Sequence, residues 1–125
     1  MISHLSDAEL EIMKIIWPET RKPIRFAWIL EELSARGKAW QPNTLITLLG
    51  RLTNKGFLSV TKVGRKNEYT PLISEADYQS AQTQTFLHKV YRGDAKGLVM
   101  ALIQRDLLSA GDYEDLRRFW EQEEK

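Results

Sequence analysis

Residues 40–58 read Trp40-Gln41-Pro42-Asn43-Thr44-Leu45-Ile46-Thr47-Leu48-Leu49-Gly50-Arg51-Leu52-Thr53-Asn54-Lys55-Gly56-Phe57-Leu58. Leu45, Leu48, Leu49 and Leu52 fall at i, i+3, i+4 and i+7, so they form one apolar stripe and predict a helix with one buried face. Pro42 suits the first turn of such a helix, where its missing amide proton costs nothing. Asn43, Thr44, Thr47, Arg51 and Asn54 fall on the opposing side. Their amide, hydroxyl and guanidinium groups suit base edges and phosphates in a DNA major groove. The plainer alternative is an amphipathic helix with a solvated polar face.

The residues that follow bear on that choice. Leu58-Ser59-Val60-Thr61-Lys62 and Glu68-Tyr69-Thr70-Pro71-Leu72 flank Val63-Gly64-Arg65-Lys66-Asn67, a pattern of two alternating runs about a tip that predicts a β-hairpin. Gly64 supplies backbone freedom at the tip, and Pro71 ends the second strand. Lys62, Arg65 and Lys66 sit at or near the tip. A helix followed directly by a basic-tipped hairpin is the element order of a winged helix-turn-helix, whose helix enters the major groove.

The charge is distributed to match. The formal net charge is +1, but residues 36–73 hold seven Lys/Arg against Glu68 alone, a net +6. Residues 1–35 carry −2 and residues 74–125 carry −3. Positive charge concentrated on the helix and hairpin would give salt-dependent affinity for a phosphate backbone.

Upstream, Ser6-Asp7-Ala8-Glu9 predicts a capping box, and Leu5 and Leu10 stand at the positions of a hydrophobic staple. Met13, Ile16 and Trp17 extend the apolar face until Pro18 stops the helix. Pro23-Ile24-Arg25 gives an extended link, a candidate third strand beside the hairpin. A second helix is expected from about Arg25 to Ala35, with Phe26, Ile29, Leu30 and Leu33 inward, Trp28 off the stripe and no polar cap at its start. Three helices and a hairpin make a DNA-binding domain over 1–73.

Residues 74–125 predict three further helices, capped by Ser74, Asp94 and Ser109. Their apolar residues include Phe86 and Val90 in the first. Leu98, Val99, Leu102, Ile103 and Leu107 belong to the second, and Leu116, Phe119 and Trp120 to the third. These helices are too thin to fold alone. The same segment of a second copy would bury them, so a two-fold homodimer is expected, as a protein reading two half-sites requires. The fold class is therefore mainly α with a small β-hairpin wing: a winged helix-turn-helix plus a C-terminal helical dimerisation domain.

Several function classes fall away. No apolar run approaches the roughly 20 residues needed to cross a bilayer, and Met1-Ile2-Ser3-His4-Leu5 lacks the features of a signal peptide, so a cytoplasmic location with no membrane partner is expected. With no cysteine there is no disulfide, thiolate metal site or thiol redox chemistry. His4 and His88 are far apart. Glu31-Glu32, Asp106 and Glu114-Asp115 lie on charged helical faces, without the burying pocket a catalytic dyad needs. No catalytic, cofactor or metal residue is assigned.

Ser6-Asp7-Ala8-Glu9-Leu10-Glu11-Ile12-Met13-Lys14-Ile15-Ile16-Trp17 resembles the opening of the penicillinase and methicillin-resistance repressors, the BlaI/MecI/CopY family. The resemblance continues in order through Trp40-Gln41-Pro42-Asn43-Thr44, Thr47-Leu48, Arg51-Leu52, Lys55-Gly56, Gly64-Arg65-Lys66, Tyr69, Pro71-Leu72, Ser74-Glu75, Tyr78, Ser80 and Thr85-Phe86-Leu87. It implies a bacterial winged-helix repressor that dimerises through its C-terminal helices. Such a repressor binds a palindromic double-stranded operator and blocks resistance or metal-efflux genes. It also implies that Asn43, Thr44, Thr47 and Arg51 face the groove, and that Lys55, Lys62, Arg65 and Lys66 contact phosphates. Two departures limit the transfer. The copper-sensing branch has a C-terminal cysteine cluster that is missing here. The β-lactam branch is inactivated by cleavage at an Asn-Phe bond, where this chain has Ala101-Leu102. A regulatory protease cutting elsewhere within Leu98–Leu107 would still sever the dimer-burying helix. Two rival readings are a ligand-sensing regulator with an interdomain pocket lined by Trp28, Tyr78 or Phe86, and a winged-helix protein-interaction module; the clustered +6 opposes the latter.

Overall fold

Ser6 caps α1 (Asp7–Ile16) through the expected reciprocal pair: its hydroxyl accepts from the Glu9 amide, and the Glu9 carboxylate accepts from the Ser6 amide. The computed structural model describes residues 2–20 and 23–123. Ile24–Arg25 forms β1, and α2 (Phe26–Ala35) follows without a side-chain cap. α3 runs Pro42–Asn54, with Pro42 in its first turn. β2 (Leu58–Val63) and β3 (Lys66–Pro71) make the hairpin. β1 pairs antiparallel with the outer edge of β3, so the link at 24–25 does become a third strand and the sheet order is β1-β3-β2.

The hairpin is tighter than the alternation suggested. Its strands reach Val63 and Lys66, leaving only Gly64-Arg65 between them. Gly64 has φ +65°, the positive angle that a type II′ turn needs at its first central position, and primed turns match the twist of the flanking strands.

Leu5, Ile12, Met13, Ile16, Ile29, Leu33, Leu45, Leu49, Leu52, Phe57 and Leu58 form the buried centre. α3 ends in a Schellman motif: Gly56 takes φ +82°, its amide donates to Thr53 O, and the Phe57 amide donates to Leu52 O. Leu52 and Phe57 are both buried, which is the hydrophobic contact that accompanies this motif. The chain thus turns from helix into β2 at one fixed angle, and α3 is held between core and wing.

α4 (Glu75–Tyr91), α5 (Ala95–Gln104) and α6 (Ala110–Glu123) complete the chain. Ser74, Asp94 and Ser109 accept hydrogen bonds from the Asp77, Gly97 and Asp112 amides, as capping residues do. The chain divides into two compact units, 1–82 and 83–125, and the division falls inside α4. The start of α4 belongs to the first unit: the Tyr78 ring lies against Trp17 and Phe57, and its hydroxyl accepts from the Leu5 amide.

The second unit is built differently. Neither α5 nor α6 has a buried residue. Leu107, expected on the α5 face, lies past the helix. Asp106 takes φ +58° and ends α5, with Asp106 N–H donating to Ile103 O and Leu107 N–H to Leu102 O. That is the same Schellman geometry as at Gly56, with an aspartate in the left-handed position. Of the expected solvated end, Glu124 and Lys125 lie outside the described residues.

Candidate nucleic-acid interface

The four leucines of α3 are buried, and Asn43, Thr44, Thr47, Arg51 and Asn54 are all exposed. Burial of one stripe forces the other side outward, because side chains three and four apart share a face. Among the described residues Arg51 has no hydrogen-bond or ion-pair partner, so its fork of donors is uncommitted. The Thr47 hydroxyl donates to Asn43 O at 3.0 Å, which fixes its rotamer and leaves its oxygen lone pairs facing out.

The cations do not behave as one group. Lys62 stands opposite Asn67, and Lys66 opposite Val63. Successive strand residues alternate faces, so Lys62 shares a hairpin face with Tyr69, whereas Lys66 shares the other with Glu68 and Arg25. Arg25 and Glu68 are neighbours across β1 and β3, joined by an ion pair of 3.2 Å. Arg25, Arg65 and Lys66 then border an open concavity of about 350 Å³, floored by Phe26, Ala27 and Ile46. This hollow between α3, the start of α2 and the hairpin tip combines apolar floor with cationic edge. Sequence reading did not assign Arg25 or Ile46 to it. Ile46 did leave a trace, as an apolar residue one step outside the leucine stripe.

Lys55 has a different occupation. Its ammonium lies 2.6 Å from the Glu9 carboxylate and 3.1 Å from the His4 carbonyl. Glu9 is only 1 % exposed and is a buried charged residue within the core of unit 1. Burial alone would push its carboxyl up. The hydrogen bond from Lys55, those from Ser6 and the nearby Lys55 charge outweigh that and hold it below the ordinary carboxylate value. One carboxylate therefore caps α1 and anchors the end of α3, which makes Lys55 part of the frame that aims the helix.

Of the three rings considered for a ligand pocket, Trp28 and Tyr78 belong to the first unit and Phe86 to the second. Tyr78 packs with Trp17 and Phe57, Trp28 borders a shallow hollow with Pro23 and Ile24, and Phe86 lies near Tyr91. Among the described residues no three His, Asp or Glu side chains converge as metal ligands, and no helix is long and apolar enough to cross a membrane.

The second unit offers a surface of another kind. Phe86, Val90, Val99, Leu102, Ile103, Leu107, Leu116, Phe119 and Trp120 are all exposed, Trp120 at 64 %. Leu98 is half-buried. A monomer seldom leaves so many large apolar side chains uncovered on one segment.

Comparison with known proteins agrees with this geometry. The penicillinase repressor family model matches residues 5–122. The chain is similar to the penicillinase repressor of Bacillus licheniformis, with 37 % identity over 97 % of this chain and 92 % of that protein. It is also similar to the methicillin resistance regulatory protein MecI of Staphylococcus aureus strain N315, with 35 % identity over 90 % of this chain and 89 % of that one. Among solved structures, the DNA-binding domain of the repressor BlaI is similar at TM-score 0.54 and 45 % identity, covering 62 % of this chain and 92 % of that domain. Monomeric Bacillus licheniformis BlaI in complex with the blaP half-operator is similar at TM-score 0.51, with the same identity and coverage.

Proposed function

Since the chain belongs to the penicillinase repressor family, we propose that it is a DNA-binding transcriptional repressor acting as a homodimer on a palindromic operator. The observation that carries this is the α3 surface: a leucine stripe fully committed to the core, with Asn43, Thr44, Thr47 and Arg51 exposed on the other side. Arg51 is the candidate for bidentate contact to guanine, and the shorter polar groups for neighbouring edges and phosphates. Arg65 and Lys66 lie on the hollow beside α3 and take phosphates there, while Lys62 serves a different face of the hairpin. Residues 1–73 bind DNA and residues 74–125 pair two copies, the division expected from function. The apolar residues of α4 to α6 supply the pairing surface.

Dimerisation explains how repression could be released. Two linked half-site contacts bind far more tightly than either alone, so loss of the pairing surface empties the operator without touching α3. A regulatory protease is the family's route to that loss. Here Ala101-Leu102 lies within α5, and any cut in Leu98–Leu107 would divide the pairing surface. Control of antibiotic-resistance or related stress genes, in the bacterial cytoplasm, is the corresponding biological role.

The test is a gel-shift series with duplex DNA from upstream of the chain's own gene and with random duplex of equal length, each across a salt titration. Tight binding to the first, weaker binding to the second and a steep salt slope for both are expected. Equal affinity for the two would reject the operator reading.

A further inference from the structure

The outward side of α3 carries one large apolar side chain, Ile46, which is 56 % exposed. It follows Leu45 of the buried stripe yet takes no part in the core. Instead it floors the hollow with Phe26 and Ala27, edged by Arg65 and Lys66. One turn further, Gly50 lies mid-helix and exposed. Its φ is not positive, and a Cβ built on it meets nothing within 4 Å. Glycine weakens a helix interior relative to alanine, and here neither packing nor backbone conformation asks for it. What its missing side chain does provide is a notch on the helix surface beside Ile46, where another molecule's atoms can come close to the backbone.

We propose that Ile46 and Gly50 form a thymine-reading step: Ile46 covers a thymine C5 methyl, and the notch at Gly50 lets the edge of that base pair approach the helix. This rests on the reading of α3 as the helix that enters the major groove. There, base edges present donors, acceptors and one kind of apolar group, the thymine methyl. An exposed isoleucine on that surface gains from burial only against that group or against deoxyribose carbons of the backbone. The Arg65 and Lys66 charges favour a polyanion at the hollow's edge, and nucleic acid offers apolar and anionic groups at that spacing. A methyl contact gives specificity at one position per half-site, whereas a deoxyribose contact would strengthen binding to every sequence alike.

The experiment starts from duplexes the full chain selects out of a randomised pool, in which each thymine is then replaced by uracil, removing only the methyl. At one position in each half-site, uracil should weaken wild-type binding about fourfold, the value of one buried methyl group. Ile46→Ala should bind the thymine duplex correspondingly less well and be indifferent to uracil there. Gly50→Ala should raise the melting temperature by a few degrees, roughly the gain from alanine in a helix interior, and yet bind the selected duplex more weakly. Both positions are exposed, so both variants fold. Ile46→Ala losing affinity for all sequences with no uracil effect would assign the side chain to deoxyribose and overturn the thymine contact, leaving operator binding intact. Gly50→Ala binding as well as wild type would overturn the notch. Failure to select any preferred sequence would overturn this proposal together with the operator reading beneath it.

Discussion

Replacing Lys55 by methionine keeps most of the unbranched side chain and removes its charged end, and so isolates the tie between α1 and the end of α3. In the wild type the Glu9 carboxylate accepts from the Ser6 amide at 2.8 Å and from the Lys55 ammonium at 2.6 Å. After substitution the Ser6 capping bonds remain, but an ionised, buried carboxylate has lost its counter-charge. Breaking a fully buried pair costs about 3–5 kcal/mol. Lys55 is 32 % exposed, so water screens part of the interaction and the expected loss is about 2–3 kcal/mol, near the value of a charge-assisted hydrogen bond. Urea melts of the wild type, Lys55→Met, Glu9→Gln and the double variant would give the coupling between the two residues. The pH dependence has a definite sign. The Glu9 carboxyl sits below its ordinary value in the folded wild type, so its contribution is present above the unfolded-state pKa and is lost as pH falls through the folded one. In Lys55→Met the carboxyl loses two of the causes that lower it, so it protonates at higher pH than in the wild type. The gap between the two proteins should therefore be largest at neutral pH and shrink on acidification. Additive effects within about 0.5 kcal/mol in the double variant, or a gap indifferent to pH, would refute the assignment.

Four further outcomes are expected. Arg51→Ala should cost about 1–3 kcal/mol on a selected duplex and relax specificity at one position; an equal loss on random DNA would remove Arg51 from base reading. Lys66→Gln should weaken binding to all sequences and lower the salt slope by about one, as salt titrations of the gel shift would record. Trp120→Asp places a charge on the apolar surface of the second unit, and sedimentation should then find monomers with greatly reduced operator affinity; a dimer as tight as wild type would place the pairing surface elsewhere. Leu49→Ala opens a cavity beneath α3 and should cost about 2–5 kcal/mol of unfolding free energy, measured by denaturant melts.

What could be read directly from the residues was local. The Ser6–Glu9 capping box, the leucine stripe of α3 and the alternation of β2 and β3 each lie within one element, and local chemistry decides them. The link at Ile24-Arg25 was legible as extended chain because Pro23 precedes it. Features joining distant segments were hidden. Nothing near Lys55 announces that its partner is Glu9, two helices earlier. The faces taken by Lys62 and Lys66 depend on whether the tip holds two residues or five, since one residue of register moves a side chain to the other face. The stop at the end of α5 was invisible because it uses Asp106 where Gly would be the usual signal. Ile46 escaped notice beside the leucines, where an added apolar residue looks like more core.

The uncovered α5 and α6 carry a consequence for how much of the repressor a cell can hold. If two copies pair through these helices, as proposed, the segment's integrity would follow mass action. Melting of the full chain should shift upward with protein concentration, and scarce chains would spend more time solitary, with oily helices presented to chaperones and peptidases. Abundance and survival would then be linked: a well-stocked pool would protect itself, and one diluted by growth would decay faster the thinner it became. Release of the controlled genes, once begun, would sharpen under its own momentum.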